Sequence, residues 1–155
     1  MGAEQGYSMF LDTRSPLQNG NGGGLHILVV EDDADTAEST AILLCSFGHR
    51  VQIASDGPAA CQAALSKPPD VVLLDLGLPG MDGYEVARRL QAPSWEKRPF
   101  LIAITGYSSE EDRRRSLQAG IDLHLLKPVD PDFLRRLLGR FYRIILPVVA
   151  SSTTG

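Results

Sequence analysis

Much that would narrow a function is missing from this sequence. It holds only two cysteines, Cys45 and Cys61, with no CxxC pair and no histidine cluster beside them. That excludes the usual structural metal spacings and predicts reduced thiols rather than a disulfide. No apolar run approaches the ~18 residues a membrane-spanning helix needs. The chain carries Glu4 and no basic residue before Arg14, with no hydrophobic signal core, so a secreted protein is not expected. A net charge of −4 offers no bulk attraction to nucleic acid. No internal repeat points to a solenoid. The chain therefore reads as cytoplasmic, with no membrane and no nucleic-acid partner.

What is present is the composition of an ordinary globular domain: 155 residues, 43% hydrophobic and 22% charged. That length suits one core rather than two. Residues 1–24 end in Asn19-Gly20-Asn21-Gly22-Gly23-Gly24, which holds a fixed backbone only at high entropic cost. We expect a flexible leader or linker over 1–24, a domain over 25–145 and a tail over 146–155.

From Leu25 onward, apolar runs alternate with helix-like stretches. The runs are Leu25–Val30, Arg50–Ala54, Val71–Leu76, Phe100–Thr105 and Ile121–Leu126. The first, third and fourth are nearly continuous in Val, Leu and Ile, as central strands covered on both faces should be. Helices are predicted near 34–47, 57–66, 83–92, 108–119 and 130–145. Gly48 supplies a stop for the first, Ser108-Ser109-Glu110-Glu111 a cap for the fourth, and Asp130-Pro131 a start for the last. Five β-then-α units predict an α/β fold, a doubly wound five-stranded parallel sheet in flavodoxin-like order 2-1-3-4-5 with five helices.

Ligands of such a sheet sit outside the carboxyl ends of its strands. The first strand carries Glu31-Asp32-Asp33 there, the third Asp75, the fourth Thr105 and the fifth Lys127-Pro128. Alone, the acidic run fits a solvated cap of the first helix, and Thr105 or Lys127 an ordinary strand end. Their convergence on one rim is what outweighs those readings. Asp32, Asp33 and Asp75 cannot share a small pocket as bare anions, and a hard cation such as Mg²⁺ resolves the conflict. A carboxylate is a competent phosphoryl acceptor, with Lys127 and Thr105 placed to neutralise and hydrogen-bond its oxygens.

In Val29-Val30-Glu31-Asp32-Asp33, Val71-Val72-Leu73-Leu74-Asp75-Leu76, Leu78-Pro79-Gly80-Met81-Asp82-Gly83, Thr105-Gly106 and Lys127-Pro128, the chain resembles the response regulator receiver family. Thr105 falls 30 residues after Asp75 and Lys127 another 22 on, and the likeness spans roughly residues 25–143. The resemblance implies that Asp75 is the phosphoacceptor, modified to 4-aspartylphosphate. It implies Asp33 as a direct Mg²⁺ ligand, Asp32 as one acting through water, and Gly77 as a ligand through its backbone carbonyl. Thr105 and Lys127 would act on the phosphoryl group, and the Lys127-Pro128 bond would be cis. The donor would be a histidine kinase or histidine phosphotransfer protein.

The output partner would dock on the fourth helix, fifth strand and fifth helix, and a homodimer stays open. The domain would not be an enzyme beyond its own phosphorylation and dephosphorylation. It is either a stand-alone regulator or a module of a hybrid sensor kinase, with a phosphorylation-independent docking module and a nucleotide-binding flavodoxin-like domain as alternatives.

One position departs from the family. Three residues before the lysine it usually carries Tyr or Phe, and here His124 stands at that switch position. Imidazole buries less apolar area and titrates near neutrality, so its coupling to Thr105 should be altered. Gly77 and Tyr107 offer no side-chain base to orient an attacking water, which predicts slow hydrolysis. Residues 107–143 hold eight basic and six acidic side chains, either a solvated mixed face or a docking surface. The fourth helix has little apolar content beyond Leu117 and Ala119, so it should be loosely held. The apolar tail Ile144–Val149 either completes the fifth helix or meets a partner subunit.

Overall fold

The computed structural model describes residues 8–11, 24–78, 82–91, 98–106 and 109–152. Strands and helices alternate in chain order: β1 (Ser8–Leu11), β2 (His26–Val30), α1 (Ala34–Ser46), β3 (Arg50–Ala54), α2 (Gly57–Ser66) and β4 (Val71–Asp75). Then come α3 (Gly83–Leu90), β5 (Phe100–Thr105), α4 (Glu110–Gln118), β6 (Leu123–Leu126) and α5 (Pro131–Ser152). Strands β3-β2-β4-β5-β6 are all parallel and stand in that spatial order, the predicted 2-1-3-4-5 arrangement.

Period-two alternation sorts the core into two layers. Leu28, Val30, Val72, Leu74, Leu101 and Ala103 face α2, α3 and the end of α4, where Ala60, Val86, Leu90 and Ala119 meet them. Ile27, Val29, Leu73 and Ile102 face the opposite way, against Ala37, Ala41 and Leu44 of α1 and Leu134 and Leu138 of α5. Most of these side chains are fully buried, each worth about 1.5–3 kcal/mol for the larger aliphatics.

Caps set the helix ends. Asp33, Asp56, Asp82 and Ser109 each accept a backbone N–H from the first turn of α1, α2, α3 and α4. The box on α4 pairs Ser109 with Asp112, reciprocally; Ser108, read above as part of it, lies outside the described residues. Gly48 ends α1 with φ 99°, the left-handed geometry that lets its N–H return to Cys45 and the His49 N–H to Leu44.

Two differences from expectation concern the chain's ends. Segment 1–24, read as a leader without fixed structure, contributes β1, which pairs antiparallel with β3 from Ser8↔Ala54 to Leu11↔Val51. The pairing satisfies backbone groups that an edge strand would otherwise expose. Helix α5 also runs on to Ser152, past the predicted boundary at 145. Among the described residues no helix is long and apolar enough to cross a membrane.

At the end of the sheet away from the acidic rim, His49 accepts the Leu25 N–H at 3.0 Å. Burial pushes its imidazole down to about 4, against a smaller upward pull from Asp70. His26, close to the Pro68 carbonyl, is lowered by burial as well. Both rings fold neutral, whereas the unfolded chain takes up protons below about 6.5. Stability from this source is therefore full above pH 6.5 and is lost as pH falls towards 4. Between pH 7 and 4, wild type should lose about 2–3 kcal/mol more than His49→Gln in denaturant titrations. Parallel pH profiles would refute it.

Candidate functional site

Register alone brings the rim together. Val30 lies opposite Leu74, Asp75 opposite Ile104 and Thr105 opposite Leu126, so Glu31, Asp75, Thr105 and Lys127 stand at one level of neighbouring strands. Backbone bonds extend the ladders past the strand ends. The Glu31 N–H reaches the Ala54 carbonyl at 3.0 Å and the Lys127 N–H reaches the Thr105 carbonyl at 2.8 Å. The Lys127-Pro128 bond is cis.

The Lys127 ammonium lies 3.6 Å from both Glu31 Oε1 and Asp75 Oδ2. Asp75 Oδ1 accepts the Gly77 N–H at 2.9 Å. Glu31, Asp32 and Asp75 each place one carboxylate oxygen within 4.8 Å of the others. Three carboxylates against one ammonium leave uncompensated negative charge, and Glu31 shows the strain. Burial raises its pKa first, then hydrogen bonding and charge from Asp75, with a smaller contribution from Asp32. Lys127 opposes them, and the result is about 7. Near neutrality Glu31 thus holds a proton part of the time, which a cation bound among these oxygens would displace.

Asp33, expected as the direct metal ligand, is placed differently. Its exposed carboxylate caps α1, accepting the Thr36 N–H at 3.0 Å and the Thr36 hydroxyl. Those two bonds hold it below the usual carboxylate range. Glu31 takes the inner position instead. Period-two counting could have found it: from Val29 it reaches Glu31, and from Leu73 it reaches Asp75, both on the α1–α5 face. Asp33 falls on that parity too, but the chain has left the sheet and turned into a helix by then.

Thr105 is half-buried at the end of β5. His124, on β6 opposite Ala103, turns towards α4 with Nδ1 3.3 Å from Ser116 Oγ. Gly77 is exposed, and a Cβ there would meet only Asp75 Oδ1 at 3.5 Å. Pro79–Met81 and Tyr107 lie outside the described residues.

The donor set is all oxygen and anionic, which suits a hard divalent cation rather than zinc or copper. Behind it runs a cleft of about 50 Å³ lined by Glu31, Thr36, Thr40, Asp75, Ile104 and Lys127 among others. A nucleotide needs several times that space, so the cleft does not favour the nucleotide-binding alternative.

The family model described as the response regulator receiver domain matches residues 27–138. An uncharacterized 14.6 kDa protein of Leptolyngbya boryana is 36% identical over 118 residues, 76% of this chain and 89% of that protein. The transcriptional regulatory protein KdpE of Mycobacterium tuberculosis is 38% identical over 112 residues, 72% of this chain but only 48% of KdpE. Among solved structures, the receiver domain of the sensor histidine kinase PA1611 from Pseudomonas aeruginosa superposes with a TM-score of 0.69 at 35% identity. It covers 77% of this chain and 98% of that one, and has a magnesium ion coordinated in its active site cleft.

Proposed function

Because this chain belongs to the response regulator receiver family, and so is a receiver domain of two-component signalling, we propose that Asp75 is its phosphoacceptor and Mg²⁺ its cofactor. The observation that carries the reading is the Lys127 ammonium 3.6 Å from both Glu31 and Asp75, with Asp32 closing the same cluster.

An Asp75 carboxylate oxygen attacks the phosphorus of a phosphohistidine on a histidine kinase or phosphotransfer protein. A P–O bond forms as the P–N bond breaks, and the departing imidazole keeps the electron pair and takes a proton. Asp32, Asp75 and Glu31, with the Gly77 carbonyl, are the groups that hold Mg²⁺; Asp33 is left to its cap. When bound, the metal neutralises charge on the phosphoryl oxygens. Lys127 supplies a second positive charge to those oxygens, and Thr105 a hydroxyl donor. The reaction takes place in the cytoplasm.

The α4–β6–α5 face receives the output partner. Arg135, Arg136, Arg140 and Arg143 surround Gly139 in an outward cleft of about 250 Å³, and Asp132 pairs with only the first two. Its charge fits an acidic protein segment. A second reading, that the domain is one module of a hybrid kinase, draws support from its 35% identity to the PA1611 receiver.

Exposure to acetyl phosphate with Mg²⁺ should add one phosphoryl group that is labile to alkali and to hydroxylamine, as an acyl phosphate is, read by intact mass. Chelation of the metal should abolish the addition. No adduct with Mg²⁺, or an equal adduct in chelator, would refute the proposal.

A further inference from the structure

Helix α4 is attached in an unusual way. Ser116 is its single buried residue, while Leu117 is 75% exposed. Apolar burial, the common means of holding a helix to a sheet, is nearly absent. Polar contacts stand in its place, and they converge on two side chains.

One is Ser116, whose hydroxyl lies 3.3 Å from His124 Nδ1. The other is Tyr84 at the start of α3, itself 7% exposed. Its hydroxyl lies 3.4 Å from the Asp112 carbonyl and 3.5 Å from the Asp112 carboxylate, one turn of α4 before Ser116. The Arg115 guanidinium stacks 4.2 Å from the centre of the Tyr84 ring and reaches Asp82, the cap of α3, at 3.9 Å.

These contacts join both sides of the site. His124 pairs with Ala103 and Leu126 with Thr105. Side chains two apart on parallel neighbours share a face, so Thr105 and His124 lie side by side under α4. At the other end, Gly83 of α3 packs directly against Leu76, the residue after Asp75. His124 is poised besides, because its Nε2 is sealed from solvent with no hydrogen-bond partner among the described residues. The packed ring position thus carries one satisfied nitrogen and one unsatisfied, and an outward rotation would hydrate both. Loss of the single Ser116 contact is enough to tip such a balance.

We propose that Ser116 and Tyr84 are positioning residues that act through the ring of His124 to hold the Thr105 rim, and α4 with it, in the resting arrangement. The inference rests on Asp75 being the phosphoacceptor. Phosphorylation, on this view, must break a hydroxyl–imidazole latch rather than turn a hydrocarbon ring.

The test is an NMR titration of the full chain with beryllofluoride and Mg²⁺, following the His124 ring resonances in wild type, Ser116→Ala and Tyr84→Phe. The wild-type resonances should move on binding. In unliganded Ser116→Ala they should already lie part of the way to the bound positions, and apparent beryllofluoride affinity should rise several-fold. Tyr84→Phe should move both readouts in the same direction, by less. Simple structural damage would weaken binding, so tighter binding is diagnostic. If wild type responds and both variants match it, or bind more weakly, the latch is overturned while the phosphoacceptor reading stands. No Mg²⁺-dependent response in wild type would overturn that reading and the latch with it.

Discussion

Asp75→Asn should lower phosphoryl incorporation from acetyl phosphate by at least about a thousandfold, to background, because a neutral amide oxygen is not a competent nucleophile. The substitution keeps shape and most hydrogen bonding. The Gly77 N–H that now meets Asp75 Oδ1 at 2.9 Å still finds a carbonyl oxygen. What changes is charge. One anion leaves a cluster in which Glu31 already carries a pKa raised to about 7, and like-charge crowding eases. The variant should therefore melt no lower than wild type at pH 8 in the absence of metal. This is the sign expected when a site trades stability for chemistry. Calorimetry beside the labelling assay separates lost reactivity from lost fold, and undiminished labelling would move the phosphoacceptor elsewhere.

Gly83→Ala should destabilise the domain by about 1–3 kcal/mol, as overpacking does, although alanine ordinarily favours a helix over glycine by about 1 kcal/mol. A Cβ at Gly83 would lie 2.7 Å from the Leu76 Cα and 3.1 Å from the Asp75 carbonyl oxygen. The obstacle is backbone, so α3 must retreat from the strand that carries Asp75. Gly139→Ala is the matched control. That glycine also sits inside a helix, yet nothing lies within 4 Å of its would-be Cβ, so the variant should gain about 0.5–1 kcal/mol. Denaturant midpoints that moved the same way in both variants would refute the close approach of α3 to the site.

The parallel sheet could be read residue by residue because its central strands are buried on both faces. Nothing polar interrupts Ile27–Val30 or Val71–Leu74, and each run ends at the rim on a carboxylate. Legibility failed where a third dimension decides. Strand β6 begins at Leu123 rather than Ile121, since Asp122 takes over the ladder with its side chain, accepting the Leu101 N–H at 2.9 Å. Asp33 and Glu31 are both acids beside a strand end, and only the turn into α1 says which caps the helix and which stays in the cluster. Strand β1 has four residues and takes its order from the open edge of β3, a partner about forty residues away in sequence. The weak apolar hold on α4 was visible in its composition. The tyrosine, serine and histidine that replace it come from three separate elements and carry no periodic signal.

Direction along β1 has a practical side. Each parallel strand runs towards the rim, but β1 runs away from it, with Ser8 opposite Ala54 and Leu11 opposite Val51. Strand β1 therefore begins at the end of the sheet where Glu31, Asp32 and Asp75 lie, not at the far pole beside His49. A polyhistidine tag fused directly ahead of Ser8 would bring extra metal ligands to the very end of the sheet whose metal binding is to be measured. Affinity handles for this domain belong after α5.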